Sequence, residues 1–522
     1  MNEMKYECMK NGWKCMFSPT AVLKVFLFIV VVMVSIAGAF LSYPEGDIIE
    51  HIHASFLVSE GKVPYRDFFE HHHPLLWYLT SDLVGKFYGD SSIVLVLNCL
   101  TLMVFLVGGY FLYKIIVEFL GDKDAGFLSL ILILLPGVWL YYLYFKPDNY
   151  MIVCLVIGIY YLFCYLRDNK RRDLVISFGC FAIGFLFLQK ILLYVPSVGG
   201  VVLYYLYKKE IKVKDFAIAL GCALAIVGMG ALWLFKEGIF DIYYKSCFEF
   251  NKELVSYAGE MRFIKPDDLY VVVFVMGLLF GGCLFFIKDK YFRIWYFIGA
   301  FCLATKWFYF APHLYYYYEA FYFLVVVMMV SLVELAKKNK MLLWVIIFQL
   351  QVYAIIQGYY IYFDVVKAKK FEFSSLLEDG VSRCDYVLYS FFNGNLWQKD
   401  LGYYWFLLGE TDVIGEKVGI RKKDDFNRLI EDKKPKYLYV QDIYDRFLKV
   451  DDKEVLSYKF DYEMIDKYYE KLGEKTTMEY DSETKTMELK EVDGGLYKLK
   501  KEYQKKDCKM SLSSGEWEYA KN

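Results

Sequence analysis

The stretch that decides the fold is VLKVFLFIVVVMVSIAGAFLSYPEGDIIEHIHASFLVSEGKVPYRDFFEHHHPLLWYL, residues 22–79. It begins with about 20 almost uncharged apolar residues, the length that a helix needs to cross a bilayer. The part that follows, Tyr43–Leu79, contains Asp47, Glu50, Asp67, Glu70 and five of the six histidines of the chain. Because carboxylates and imidazoles beside a bilayer are costly to keep dry, they indicate chemistry or metal binding at the membrane surface.

The whole chain has the composition of a polytopic α-helical membrane protein. Of its 522 residues, 57% are hydrophobic and 20% are aromatic, and the mean hydropathy is +0.30. A soluble domain of this size contains fewer apolar residues. The excess lies in apolar blocks that predict about eleven membrane-spanning helices, to within one or two. The predicted spans are 22–42, 92–113, 125–143, 149–166, 174–188, 191–207, 215–235, 269–287, 292–310, 314–335 and 341–363.

Lysine and arginine in the short connections predict the orientation of these spans. With a cytoplasmic N-terminus, the inner segments include RDNKRRD (167–173), KKEIKVK (208–214) and KKNK (337–340), which follow the positive-inside rule. We therefore expect a cytoplasmic segment 1–21, a membrane domain 22–363 with its first outer loop at 43–90, and an extracytoplasmic segment 364–522. The first span is long enough to remain as an uncleaved anchor. The net charge of −1 gives no indication of nucleic-acid binding.

The composition changes after Asp364, where the chain becomes charged and resembles a soluble α/β domain. CDYVLYSFF (384–392) predicts a strand, and DDFNRLIEDKKPKYLYV (424–440) predicts a helix, a turn and a strand. The twelve cysteines lie mostly in predicted spans and show no CxxC spacing, so they are interpreted as small apolar residues. Cys384 and Cys508 are the only cysteines of this tail, and the favoured interpretation leaves them unpaired, with a disulfide as the alternative.

The predicted topology brings acids and bases from distant parts of the sequence to the outer side of the membrane. Each also has a plainer explanation. Acids at helix starts serve as N-caps, histidine runs without fixed spacing are often solvated, a lysine at a helix end extends to the interface, and histidine beside tyrosines belongs to an aromatic belt. The residues concerned are Asp47, Glu70, His71–His73, Asp148, Lys190, Arg262, Lys265, Lys306 and His313.

The order of these motifs resembles the GT-C superfamily of polytopic glycosyltransferases, in particular the bacterial family 39 type. That group includes protein O-mannosyltransferases and the aminoarabinose transferase of lipid A. The likeness covers roughly residues 22–335 and the external tail. It consists of GDII with Asp47, the pattern G-x-x-P-Y-x-D (Gly61, Pro64, Tyr65, Asp67), FFEHHHPLLWYL, KPDN with Asp148, FLQK with Lys190, and APHLYYYYEAF with His313.

The resemblance implies transfer of a sugar from a polyprenyl-phosphate-linked donor to an acceptor outside the bacterial cytoplasmic membrane, the acceptor being a protein, a lipid or a glycan. Asp47 would be the general base and Asp148 a second acid. Glu70 would hold a divalent metal ion of unknown identity, with His72 as a further ligand. One departure is His71, which stands where the aminoarabinose transferase has a lysine. The residues expected to bind substrate are Tyr65, Arg66, His71, Lys190, Arg262 and His313.

Three other functions stay open at this point. A transporter or flippase usually carries charges at mid-span and an internal repeat, whereas this chain has its acids at the outer ends of spans and no repeat. A polymerase or ligase of lipid-linked glycans uses the same kind of substrate. A non-catalytic assembly protein would use the tail as its binding module.

Overall fold

The computed structural model describes most of the chain, in two compact units. The first unit comprises Met1–Tyr43, Leu95–Gly228 and Phe263–Lys370, and the second comprises Pro44–Val94, Met229–Arg262 and Phe371–Asn522. The described residues are 19–41, 46–134, 144–258, 289–308, 318–338, 341, 345, 347–352, 355–356, 383–389, 396–397, 399–406, 411–440, 443–450, 453–481, 486–505, 508–510 and 517–519.

The described helices are numbered here in chain order. They are α1 (Pro19–Leu41), α2 (Gly46–Ser59), α3 (Leu75–Lys86), α4 (Ser92–Phe119), α5 (Lys123–Leu134), α6 (Pro147–Asp168), α7 (Arg171–Phe187), α8 (Val195–Tyr207), α9 (Val213–Lys236), α10 (Phe240–Tyr244), α11 (Asn251–Ala258), α12 (Lys290–Phe308), α13 (Tyr318–Lys338), α14 (Thr411–Lys417), α15 (Phe426–Lys433) and α16 (Tyr462–Tyr468). A 3-10 turn, Gln189–Leu193, joins α7 to α8, and a π-helical turn, Lys245–Phe250, joins α10 to α11.

Many of the described helices follow the apolar blocks of the sequence. Helices α1, α4–α9, α12 and α13 overlap predicted spans. Within the described residues, α4, α6 and α9 are long and apolar enough to cross a membrane. In the apolar window of α6, 83% of the residues are buried, against 11% in α9, as expected if α6 packs inside the bundle and α9 faces lipid. The predicted span 269–287 lies outside the described residues and 341–363 is described only at scattered positions, so the total number of spans stays a prediction.

Helices α6 and α7 form a tight antiparallel hairpin in the first unit. Asn169 ends α6 in the left-handed conformation, with φ of 54°, which reverses the chain. Gly158 allows the helices to approach closely, because a Cβ at this position would lie 2.4 Å from the ring of Phe181. The Ser177 hydroxyl donates to the carbonyl of Gly158 at 2.7 Å. This pairing brings the residues that follow α7 back to the start of α6.

The tail in the second unit contains a five-stranded mixed sheet and two small two-stranded sheets, β4-β5 and β8-β9. The described strands are β1 (Tyr386–Tyr389), β2 (Lys399–Asp400), β3 (Tyr437–Val440), β4 (Ile443–Val450), β5 (Lys453–Tyr458), β6 (Tyr469–Asp481), β7 (Thr486–Leu499), β8 (Cys508–Met510) and β9 (Trp517–Tyr519). The order in the large sheet is β2-β1-β3-β7-β6. Strand β1 is parallel to β2 and β3, whereas β7 is antiparallel to β3 and β6. The strand predicted within 384–392 and the helix, turn and strand predicted within 424–440 are confirmed.

One prediction for the tail is wrong. Cys384 and Cys508, interpreted as unpaired, form a disulfide across 124 residues of sequence, with their Cα atoms 5.8 Å apart. Sequence spacing alone does not show that the fold returns the end of the chain to the start of the sheet.

Candidate functional site

Helix α2 carries the first acidic residues of the site. Asp47, Glu50 and His51 are spaced i, i+3 and i+4, so they share one helical face. Asp47 lies in the first turn, where the partial positive charge of the helix end stabilises a carboxylate, and it is partly exposed. Glu50 and His51 are buried, at 3% and 2% exposure. Of these three side chains, Asp47 is therefore the one that a substrate can reach most directly.

The loop between α2 and α3 is shaped by the residues of the G-x-x-P-Y-x-D motif. Gly61 and Tyr65 both adopt positive φ, at 82° and 67°. The Asp67 carboxylate accepts a hydrogen bond from the Val63 backbone at 2.7 Å, and the Tyr65 backbone donates to the Phe68 carbonyl at 2.9 Å. The motif thus forms a turn closed by its own aspartate.

Tyr65 lies beneath the histidine run. Its ring is completely buried, and its hydroxyl donates to the backbone carbonyl of His72 at 2.5 Å. Burial, followed by the negative charge that the neighbouring Cys247 thiol would carry, raises the pKa of Tyr65 well above its usual value, so the hydroxyl stays protonated. Tyr65 therefore positions His72, and its predicted contact with substrate stays a prediction.

The C-terminal segment holds this loop in place within the second unit. The Phe69 side chain belongs to the same buried core as the aromatic side chains of the tail. The Phe69 backbone donates to the Tyr403 carbonyl at 3.0 Å, and the Trp405 indole donates to the Phe69 carbonyl at 2.9 Å. His53 of α2 lies 2.8 Å from the Asp400 carboxylate through Nε2. The loop is thus fixed on its tail side by both packing and hydrogen bonds.

Five side chains from α2 and the loop form an acid–histidine cluster: Glu50, His51, Glu70, His71 and His72. Nδ1 of His72 lies 3.3 Å from Oε1 of Glu50 and 3.4 Å from Oε2 of Glu70. Nε2 of His71 lies 3.7 Å from the same Glu50 oxygen. Potential ligand atoms of Glu50, His71 and His72 all lie within 4.8 Å of one another, as do those of Glu50, His51 and Glu70.

The neighbours of the cluster indicate which histidine nitrogens are available. Asn251 donates through Nδ2 to the carbonyls of His71 and Cys247, at 2.8 and 2.9 Å, so its Oδ1 accepts from Nδ1 of His71 at 2.8 Å. Nε2 of His71 then keeps its lone pair and can bind a metal. In contrast, Nδ1 of His51 accepts from the Trp77 indole at 3.3 Å, which assigns the His51 proton to Nε2. Of the two groupings, Glu50 with His71 and His72 is therefore the better ligand set.

Electrostatics also favour a cation in this cluster. Glu70 is completely buried, and among the described residues its Oε1 has no hydrogen-bond partner. Burial and then the charge of Glu50 raise the pKa of Glu70 well above its ordinary value, although the His71 backbone N–H opposes the shift. Two adjacent buried carboxylates need a shared proton or a cation. Carboxylate and imidazole ligands suit a divalent ion, so the residues fit the predicted metal.

Asp148 and Lys190 form an ion pair in the first unit. Asp148 lies in the first turn of α6, and Lys190 lies in the 3-10 turn after α7. The α6–α7 hairpin brings Nζ of Lys190 to 2.7 Å from Oδ1 of Asp148. The two side chains are 26% and 23% exposed, so the pair is accessible to a ligand. The predicted second acid and the predicted lysine are thus direct partners.

The remaining predicted residues are less informative. Arg66 is about half exposed, and its guanidinium contacts Asp67 at 3.1 Å and Glu237 at 3.5 Å. Arg262 and His313 lie outside the described residues, as does Lys265. His73, part of the histidine run, points away from the cluster and pairs through Nε2 with the Tyr243 hydroxyl at 3.0 Å.

Sequence reasoning did not assign roles to three residues that the structure places in or beside the cluster. Glu50 and His51 follow Asp47 by three and four positions, so the helical period alone could have grouped them. Asn251 had no local signal, because it lies 180 residues from His71 and reaches it only through the fold.

Comparison with known proteins shows what the chain is similar to. Residues 72–234 match the family of dolichyl-phosphate-mannose-protein mannosyltransferases. The chain is similar to the crystal structure of ArnT from Cupriavidus metallidurans bound to undecaprenyl phosphate, with a TM-score of 0.53, 10% identity, and coverage of 81% of this chain and 93% of that one. It also matches the crystal structure of the Archaeoglobus fulgidus oligosaccharyltransferase tethered with an acceptor peptide. That match has a TM-score of 0.43 and 12% identity, and it covers 90% of this chain and 74% of the other. No curated protein sequence matches the chain.

The fold is therefore similar to that of ArnT. The predicted resemblance is confirmed as a likeness in fold to ArnT and, over residues 72–234, as a match to the mannosyltransferase family model.

Proposed function

We propose that the chain is a membrane glycosyltransferase that moves a sugar from a polyprenyl-phosphate-linked donor to an acceptor at the outer face of the bacterial cytoplasmic membrane. The observation that carries this proposal is the acid–histidine cluster, whose Glu50 and His51 lie on the same helix as the more exposed Asp47. The match to a mannosyltransferase family and the undecaprenyl phosphate bound to ArnT support a lipid-linked donor.

Asp47 is the proposed general base. Its carboxylate accepts the proton of the acceptor hydroxyl while that oxygen forms a bond to the anomeric carbon of the donor sugar. The bond between the anomeric carbon and the phosphate oxygen breaks, and the lipid phosphate leaves with the electron pair. Glu50 and Glu70 are poor candidates for this role, because they are buried at 3% and 0% exposure.

The acid–histidine cluster is the proposed holder of a divalent cation, through Glu50, His71 and His72. Glu70 is the proposed further carboxylate of this site, with its Oε2 3.4 Å from Nδ1 of His72. Such an ion would supply positive charge to stabilise the departing phosphate. Asn251 keeps the proton on Nδ1 of His71, and Tyr65 holds the backbone of His72. These two residues are proposed to position the ligands.

The ion pair of Asp148 and Lys190 is the proposed second polar element. Lys190 presents a partly exposed ammonium group, which suits contact with a phosphate. Arg66 is exposed enough to serve as a further cation. Roles of Arg262 and His313 in substrate binding remain part of the proposal on the resemblance alone.

The proposed topology places the N-terminus in the cytoplasm and the C-terminal α/β segment outside it. The basic short loops support this orientation through the positive-inside rule. The Cys384–Cys508 disulfide gives independent support, because disulfides persist in oxidising compartments and are rare in the cytosol.

The proposal is tested with Asp47→Asn, which keeps the shape of the side chain and removes the base. Release of undecaprenyl phosphate from a panel of undecaprenyl-phosphoryl sugars, with membrane lipids, envelope glycans and proteins as acceptors, measures turnover and identifies the substrates. We expect the rate to fall about 10²- to 10⁴-fold with unchanged thermal melting. Asp82→Asn, at an exposed position of α3, is the matched control and should keep full activity. Full activity of Asp47→Asn would rule out the base assignment.

A further inference from the structure

A polar cavity lies in the C-terminal α/β segment, apart from the acid–histidine cluster. It has a volume of about 60 Å³ available to the centre of a water molecule, which is room for a small anion such as phosphate. Four lysines and two tyrosines dominate its wall: Lys433, Lys434, Lys436, Lys505, Tyr386 and Tyr503. We call it the lysine pocket.

The charge of the lysine pocket is strongly unbalanced. Asp385 is the single carboxylate in its wall, against four lysines, which leaves a net charge of +3. Asp385 is also already engaged, since its Oδ2 accepts from Nζ of Lys436 at 3.3 Å. Within the described part of the chain, Lys434 and Lys505 have no carboxylate within 4.0 Å of their amino groups. The pocket therefore concentrates positive charge that its own residues do not neutralise.

Lys433 makes this imbalance more significant, because it is half-buried. Its amino group donates to the Leu401 carbonyl at 2.9 Å and lies 4.6 Å from the centre of the Tyr386 ring. No described carboxylate lies within salt-bridge distance of it. Burial lowers the pKa of Lys433, with weaker opposition from Asp424 and Asp400. A partly desolvated ammonium group without a counter-ion is unfavourable, so a bound anion would stabilise the arrangement.

A purely structural explanation accounts for only part of the pocket. Lys433 and Lys434 lie at the C-terminal end of α15, where cations interact favourably with the helix dipole. Lys434 also lies 4.8 Å from the Tyr468 ring and 5.5 Å from the Tyr503 ring. These contacts stabilise single ammonium groups. They do not explain why Lys436 and Lys505, from outside the helix, line the same small space.

We propose that the lysine pocket binds the phosphate group of a sugar phosphate or of an anionic lipid headgroup. Lysine ammonium groups supply point charges for the phosphate oxygens. The rings of Tyr386 and Tyr503 supply flat apolar surfaces and hydroxyls beside them, which suit the ring of a sugar or the glycerol of a headgroup. This site goes beyond the proposed glycosyl transfer and does not depend on Asp47.

The test uses the full-length chain in detergent and the double substitution Lys434→Gln with Lys505→Gln. Phosphorus NMR titrations measure binding of glucose 1-phosphate and, separately, of short-chain dioctanoyl phosphatidylglycerol, with dioctanoyl phosphatidylcholine as the zwitterionic reference. The matched control is Lys422→Gln with Lys459→Gln, which removes the same charge from exposed positions outside the pocket. Thermal melting confirms that all proteins are folded, and Lys434→Arg with Lys505→Arg tests whether charge alone restores binding.

We expect one of the two anionic probes to bind, and the pocket variant to weaken that binding about a hundredfold, because two charge-assisted contacts are lost. The control should change it less than about twofold, since exposed charges act weakly at ordinary ionic strength. Preference for glucose 1-phosphate assigns a sugar phosphate, and preference for phosphatidylglycerol assigns a lipid headgroup. Absence of binding of both probes at millimolar concentration, or an equal loss in the control, overturns the proposal.

Discussion

Replacement of Glu70 by glutamine tests whether the acid–histidine cluster is built around a cation. The change removes one of two adjacent buried carboxylates while it keeps the side-chain shape. If a divalent ion binds there, the substitution has opposite effects with and without metal. It should stabilise the metal-free protein and destabilise the metal-loaded protein.

The two opposing effects are of similar size. The carboxylate oxygens of Glu50 and Glu70 lie within 4.8 Å of each other. Two unit charges about 4.8 Å apart repel by about 3.5 kcal/mol at an effective dielectric constant of about 20. Uptake of a proton relieves part of this repulsion, so Glu70→Gln should stabilise the metal-free protein by at most about 3 kcal/mol. In contrast, metal at a hundred times its Kd stabilises the wild-type protein by about 2.7 kcal/mol, which the variant would lose.

Thermal melting in detergent, with a chelator and with added manganese, zinc or magnesium, measures both effects. Glu60→Gln is the matched control, because Glu60 belongs to the same unit, is 29% exposed, and pairs with Arg383 at 3.7 Å. We expect the control to change stability by less than about 1 kcal/mol in both conditions. The reasoning fails if no divalent ion raises the melting temperature of the wild-type protein. It also fails if Glu70→Gln lowers the melting temperature in chelator.

Three further predictions follow from single contacts. Lys190→Gln breaks the 2.7 Å pair with Asp148. Because both groups are partly exposed, we expect the stability to fall by less than about 1 kcal/mol while donor turnover slows. Unchanged turnover would contradict a role of Lys190 in substrate binding. Cys384→Ser opens a disulfide that spans 124 residues, and chain entropy predicts a loss of about 5 kcal/mol in the free energy of unfolding. The melting temperature of the variant should fall to that of the wild-type protein measured in reductant. Asn251→Ala removes the oxygen that accepts a hydrogen bond from Nδ1 of His71. We expect the affinity for a divalent metal, measured by metal titration, to fall about 10- to 100-fold. Unchanged affinity would exclude a positioning role for Asn251.

The membrane helices could be predicted from the sequence because their cause is local. A span needs a run of apolar residues of fixed length, so α4, α6 and α9 follow directly from composition. The ends of the helices were less predictable, and α4 continues to Phe119, beyond its predicted end at residue 113. Helix ends depend on the caps and packing around them, which hydropathy does not contain.

The candidate site was predictable only where its residues are close in sequence. Asp47, Glu70, His71 and His72 drew attention because one short segment holds them all. Their different environments became visible only in the coordinates, because burial and hydrogen bonds separate the partly exposed Asp47 from the largely buried cluster. The contact of Asn251 with His71 depends on a fold that joins residues 180 positions apart.

The C-terminal segment explains how a loop can hold so many polar groups in a buried place. Loops normally lie at the surface, because buried backbone groups without partners are unfavourable. Here the tail supplies those partners: the Tyr403 carbonyl accepts from the Phe69 backbone, the Trp405 indole donates to the Phe69 carbonyl, and the Tyr403 hydroxyl donates to the Tyr65 carbonyl at 2.6 Å. The Phe69 side chain belongs to the same core. Because these contacts lie directly before Glu70, the tail sets the geometry of the acid–histidine cluster, and the two cannot be treated as independent modules.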